Sequence, residues 1–105
     1  MAEVEVEVEL LPIAYEGLDG IFNYILLDNP SAAETIYEKI IDSFEHLKRF
    51  PHAGARLTHT SLDHYHFRMV VIEPYIALYR FIDGKVVVYR ILHGARDIVQ
   101  ILKET

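Results

Sequence analysis

A chain of 105 residues is long enough for one hydrophobic core and too short for two, and folding it should bury roughly 65% of the unfolded surface. With 51% hydrophobic and 25% charged residues and no cysteine, intrinsic disorder, disulfide scaffolds and thiolate metal sites are excluded. No apolar run approaches the ~20 residues a bilayer span requires, so the expectation is a single domain over 1–105, cytoplasmic and without a membrane partner. The net charge of −6 is unevenly spread. Residues 1–50 hold eleven acids and three bases, whereas residues 51–105 hold five acids, seven bases and five of the six histidines. An anionic partner is therefore expected to dock on the carboxy-terminal half.

Val4, Val6, Val8 and Leu10 alternate with Glu3, Glu5, Glu7 and Glu9, the period of two of a strand with one buried and one wet face. Pro12 suits a first helical position, and Ala14, Leu18, Ile21 and Ile25 follow at helical spacing up to Asn29-Pro30. Gly17 and Gly20 weaken this helix by about 1 kcal/mol each relative to Ala, so it should rely on packing. Asn29 is placed to cap a second helix carrying Ala33, Ile36, Ile40, Phe44 and Leu47 on one stripe. Pro51 to Asp63 reads as a loop. Tyr65 to Ile72, Tyr75 to Ile82 and Lys85 to Leu92 are rich in β-branched and aromatic residues and are split by Glu73-Pro74 and Asp83-Gly84. They predict an antiparallel meander, closed by a short helix over Ala95 to Lys103. The fold class is α+β: a helical hairpin packed on a four-stranded antiparallel sheet in the order β-α-α-β-β-β-α.

A two-residue loop at Asp83-Gly84 pairs Ile82 with Lys85, Tyr79 with Val88 and Ala77 with Arg90, and the turn at Glu73-Pro74 pairs Arg68 with Tyr79. One face then carries Tyr65, Phe67, Met69, Val71, Ile76, Leu78, Val87, Tyr89 and Ile91, with Arg80 and Lys85 near the hairpin end, and is expected against the helices. The other carries His66, Arg68, Val70, Tyr79, Phe81, Val88 and Arg90. Arg68 and Arg90 would stand about 10 Å apart by strand spacing and converge on one anion. Solvated or carboxylate-paired arginines are the plainer outcome on such a face.

Other chemistries find little support. His64 and His66 share one side of a strand, and His59 or His52 could join them, yet no third ligand closes a metal site. Ser31, Ser43 and Ser61 lack a nucleophile elbow, and there is no glycine-rich phosphate loop. No cofactor is expected. Arg90-Ile91-Leu92-His93-Gly94-Ala95-Arg96-Asp97 sets two arginines and a histidine across a strand-to-helix corner, where helix N–H groups would add to anion binding; a plain turn with surface side chains is the alternative.

Taken in order, Tyr24-Ile25, Asn29-Pro30-Ser31-Ala32-Ala33, Leu47 with Phe50-Pro51-His52-Ala53-Gly54-Ala55-Arg56, Phe67-Arg68-Met69, Tyr75-Ile76-Ala77-Leu78-Tyr79-Arg80, Asp83-Gly84-Lys85-Val86 and Arg90 to Asp97 resemble the RelE/ParE superfamily of bacterial type II toxin-antitoxin systems. The likeness is greatest to the ParE, or plasmid-stabilisation, branch. It implies a growth-inhibiting toxin neutralised by a small cognate antitoxin in a hetero-oligomer. ParE-like members inhibit DNA gyrase, whereas RelE-like members cut messenger RNA on the ribosome. The resemblance makes Arg68, Tyr79, Arg90, His93 and Arg96 the candidate residues for binding target or antitoxin, with Arg68, Arg90 and His93 catalytic if the protein is a nuclease. The segment before Arg68 lacks the lysines of RelE, which favours the gyrase-directed branch. A non-toxic interaction domain of the same fold is the third reading.

Overall fold

The computed structural model describes residues 4–57 and 66–94. Strand β1 (Glu7–Leu10) leads into helix α1 (Pro12–Asp28). Pro12 occupies the first turn, where its missing N–H costs nothing. Asn29 ends α1 and starts helix α2 (Pro30–Arg49), its side chain accepting a hydrogen bond from the Ala32 N–H at 3.1 Å. The predicted stripe on α2 is the buried one: Ala33, Ile40, Phe44 and Leu47 are buried and Ile36 packs against the core. Gly17 permits close approach of α1 to the sheet, since a Cβ there would lie 3.1 Å from the Ile91 carbonyl oxygen. A Cβ on Gly20 would meet nothing within 4 Å.

Five strands form one sheet: β1, the two-residue β2 (Ala55–Arg56), β3 (Arg68–Ile72), β4 (Tyr75–Ile82) and β5 (Lys85–His93), in the order β1-β5-β4-β3-β2. The four-stranded antiparallel expectation is corrected in two respects. Strand β1 runs parallel to β5, because the helical hairpin between them acts as a crossover connection. The stretch read as a loop contributes β2, which pairs with β3. A carboxy-terminal helix over Ala95 to Lys103 lies outside the described residues.

Asp83 and Gly84 both take positive φ, 53° and 76°, as a type I′ turn demands. Ile82 pairs with Lys85, Tyr79 with Val88 and Arg68 with Tyr79, as the loop lengths predict. Beyond Tyr79 the register shifts: Leu78, not Ala77, faces Arg90, and Ala77 faces Ile91. The bulge inserts one residue into β5 at Tyr89 and Arg90 and returns Ile91 to the face of Val88.

The helices cover the sheet face opposite to the one expected. Ala77, Tyr79, Val86, Val88 and Ile91 join Ala14, Ile40, Phe44 and Leu47 in the core, with Val70, Val8, Leu10, Leu18, Ile21 and Ile25 packed against it. Sequence periodicity could not rank the two faces because both are apolar: Leu78, Val87 and Leu92 on the far face are buried as well. The helix-covered face nevertheless carries the polar groups of Arg68 and Tyr79. Both are accommodated by backbone groups beside α2.

Candidate functional site

Past the carboxy-terminal end of α2 the chain turns through Pro51 to Gly54 and enters β2. Tyr79 reaches this turn from beneath. It is fully buried; its hydroxyl donates to the Pro51 carbonyl oxygen at 2.9 Å and accepts from the Gly54 N–H at 2.9 Å. Arg68, half-buried on the neighbouring strand, donates through Nη1 to the carbonyl oxygens of Gly54 (2.8 Å) and His52 (3.1 Å). A Cβ on Gly54 would stand 2.7 Å from the Met69 carbonyl oxygen and 2.7 Å from the Tyr79 hydroxyl, so only glycine fits the turn against the ring. Burial pushes the Tyr79 phenol above its ordinary value, opposed in part by the Gly54 N–H and the nearby Arg68 guanidinium. Arg68 and Tyr79 thus form a latch that ties the sheet to the exit of α2.

The predicted constellation is dispersed. Arg68 shares the helix-covered face with its pairing partner Tyr79, while the bulge rotates Arg90 onto the far face beside Tyr89. The two guanidinium groups therefore do not converge, and the expectation that they do is corrected: an extra residue in β5 reverses every side chain beyond it. His93 ends β5 opposite Tyr75, its ring 5.6 Å from the tyrosine ring and edge-on to it. Tyr75 lies four residues along β4 from Tyr79, about 13 Å at strand rise, so His93 and Arg68 sit at opposite ends of the sheet. Arg96, His59 and His64 lie outside the described residues. Among the described residues no cluster of three histidine, aspartate or glutamate side chains is arranged to hold a metal ion, and no helix is long and apolar enough to cross a membrane.

On the far face Arg80 lies over two rings, 5.7 Å from Phe67 and 5.9 Å from Tyr89, which themselves meet edge-to-face at 5.0 Å. These contacts favour the cation through the ring quadrupoles. No carboxylate or imidazole stands with Arg80 in them.

Two features went unread in the sequence. The outward surface of the helical hairpin is apolar: Phe22 and Tyr37 meet edge-to-face at 6.0 Å, and with Leu26, Pro30 and Glu34 they line a shallow cleft. Ile41, one turn beyond Tyr37, continues the strip, and Leu26, Tyr37 and Ile41 are all exposed. The signal was available, since α1 carries large apolar residues outside its core stripe. The second feature is a cluster of basic side chains around β2. It escaped notice because two residues are too few to show alternation.

Comparison with known proteins gives a consistent picture. No curated protein matches the sequence significantly. Among solved structures, a chain described as "Chromosomal ParDE TA system from P. aeruginosa" superposes with a TM-score of 0.69 at 16% identity, covering 89% of this chain and 99% of that one; at this identity the likeness concerns the fold. The sequence model described as "ParE toxin of type II toxin-antitoxin system, parDE" matches residues 8–98, a stretch that runs from β1 through all the described helices and strands. On that match, the chain belongs to the ParE toxin family of type II toxin-antitoxin systems.

Proposed function

We propose that this protein is the growth-inhibiting partner of a toxin-antitoxin pair, that a small cognate antitoxin neutralises it in a hetero-oligomer, and that its target is DNA gyrase. Membership of the ParE family carries the reading. The dispersal of Arg68, Arg90 and His93 supports it from the other side. A ribonuclease must bring its acid, base and charge-stabilising groups to one phosphate, and of the three residues expected to do so Arg68 and Arg90 lie on opposite faces of the sheet and His93 at its other end.

The antitoxin is assigned to the outer strip of the hairpin. Monomeric proteins seldom leave contiguous large apolar side chains in water without a partner, and Phe22, Leu26, Tyr37 and Ile41 form such a strip across both helices. Tyr37→Glu places a charge in its centre while leaving the buried face of α2 untouched.

Purified toxin is expected to inhibit gyrase supercoiling and to accumulate cleaved DNA, and the antitoxin is expected to restore supercoiling. Tyr37→Glu should retain inhibition but resist rescue. Unimpaired supercoiling at toxin excess, in cells whose growth is nonetheless arrested, would remove gyrase as the target. Codon-linked mRNA ends after induction would revive the nuclease. Unaffected growth on expression without antitoxin would leave an interaction domain.

A further inference from the structure

Alternate residues of a strand turn their N–H and C=O groups toward opposite edges, and an edge left unpaired is a template for another chain. Strand β1 stands at one edge of the sheet. The Leu11 N–H donates to the Val88 carbonyl oxygen at 3.0 Å, so Glu7, Glu9 and Leu11 turn their backbone groups toward β5. Val6, Val8 and Leu10 therefore turn theirs outward. The Val6 N–H is taken by the Lys48 carbonyl oxygen at the end of α2, at 2.9 Å. Among the described residues Val8 and Leu10 have no backbone partner on this edge.

The edge is shaped for one more strand. A cleft of about 640 Å³ runs along it, lined by residues 5–10 together with Tyr15 of α1 and Lys48 of α2. Val6, Val8 and Leu10 pack against the core but are only half-buried, because each also borders the cleft. The alternation of valine and glutamate starts before the pairing does. It already includes Val4, which is 86% exposed, whereas the ladder with β5 covers only Glu7 to Leu10. The chain thus carries strand character that β5 does not use.

We propose that this edge binds an extended segment of a partner protein in which lysine or arginine alternates with apolar residues. The backbone groups of Val8 and Leu10 supply the ladder, and alternate side chains of the added strand supply the specificity. Its apolar residues fall beside Val8 and Leu10, and its basic ones beside Glu7 and Glu9, which are exposed. Only outward-turned residues bond across a new edge, so in an antiparallel pairing both glutamates take the positions without hydrogen bonds, where facing side chains stand closest. If two copies of β1 paired, the same rule would set glutamate against glutamate, and like charges directly opposite are destabilising. The occupant is therefore a basic strand and not a second copy. This row of carboxylates already takes cations from neighbouring elements: Glu5 holds Arg49 of α2 at 3.4 Å and Glu9 holds Lys85 of β5 at 3.2 Å. Glu7 takes part in neither pair. The inference goes beyond the gyrase reading and does not depend on it, because it is tested on the purified chain alone.

Backbone amide signals are followed by NMR while the protein is titrated with a capped heptapeptide of alternating lysine and valine, its glutamate–valine counterpart, and the lysine–valine peptide with every backbone amide N-methylated. Saturable binding of the first peptide alone is expected, with slowed hydrogen exchange at Val8 and Leu10. Glu7→Lys, at an exposed position, should weaken the lysine–valine peptide about fivefold, as the loss of one cross-strand charge pair implies, and should strengthen the glutamate–valine peptide. Tyr37→Glu, on the hairpin strip, should change neither. No saturable binding at millimolar peptide, equal binding of the glutamate or N-methylated peptide, or weakening in Tyr37→Glu to match Glu7→Lys would overturn the proposal. So would exchange at Val8 and Leu10 that slows with protein concentration alone, which would assign the edge to a second copy.

Discussion

Removing one oxygen atom, by Tyr79→Phe, tests the latch between sheet and helices. The ring remains and the core volume is nearly kept, so the change isolates the hydroxyl. That hydroxyl accepts from the Gly54 N–H and donates to the Pro51 carbonyl, both at 2.9 Å. Gly54 is buried, whereas Pro51 is half-exposed. The carbonyl can turn to water, but the Gly54 donor is left without its partner, at a cost of about 1–3 kcal/mol for an unsatisfied buried group. With a smaller contribution from the lost carbonyl bond, the total is about 2–3 kcal/mol, which lowers the melting temperature of a domain of this size by on the order of 10 °C. Urea denaturation followed by circular dichroism measures it at constant slope. Arg68 secures the same turn through the Gly54 and His52 carbonyls. The double variant with Arg68→Gln should therefore depart from additivity by about 0.5–3 kcal/mol. A loss below about 0.5 kcal/mol in Tyr79→Phe, the range of an ordinary surface change, would refute the latch.

Two further outcomes follow from the same geometry. Gly54→Ala drives a Cβ to within 2.7 Å of the Met69 carbonyl and the Tyr79 hydroxyl and should cost at least as much as Tyr79→Phe, whereas Gly20→Ala, with open space around it, should stabilise by about 0.5–1 kcal/mol in the same urea assay. Burial raises the phenol pKa of both Tyr79 and Tyr75. For a group whose folded pKa lies above its unfolded value, the unfolded state loses its proton first. Stability is then unaffected below the unfolded value near ~10 and falls as the pH rises through the folded one. Urea midpoints should accordingly be flat from these groups at neutral pH and drop in strong alkali, with a smaller drop in Tyr79→Phe than in the parent.

Local physics made most of the fold legible. Pro12, Asn29 and Pro30 mark helix boundaries because each suits one position of a helix terminus. Asp83-Gly84 sets the hairpin register because a two-residue loop with both φ values positive, as found here, matches the strand twist. Family membership, carried by short segments in order along nearly the whole chain, was legible for the same reason.

What the chain could not reveal by itself were the relations between elements. The parallel seat of β1 on β5 depends on where the helical hairpin sets the chain down. Which of two apolar sheet faces meets the helices depends on Gly17 admitting a helix over Ile91 and on backbone carbonyls beside α2 accepting Arg68 and Tyr79. The bulge in β5 is a single-residue irregularity without a residue signature of its own, yet it moved Arg90 to the other side of the sheet and dissolved the expected site. Opposing Arg56 and Arg68 takes a strand of two residues, too short to show alternation, whose pairing with β3 is visible only in the tertiary structure. Periodicity reports how one segment divides between water and core; which distant groups share a face is decided only by packing.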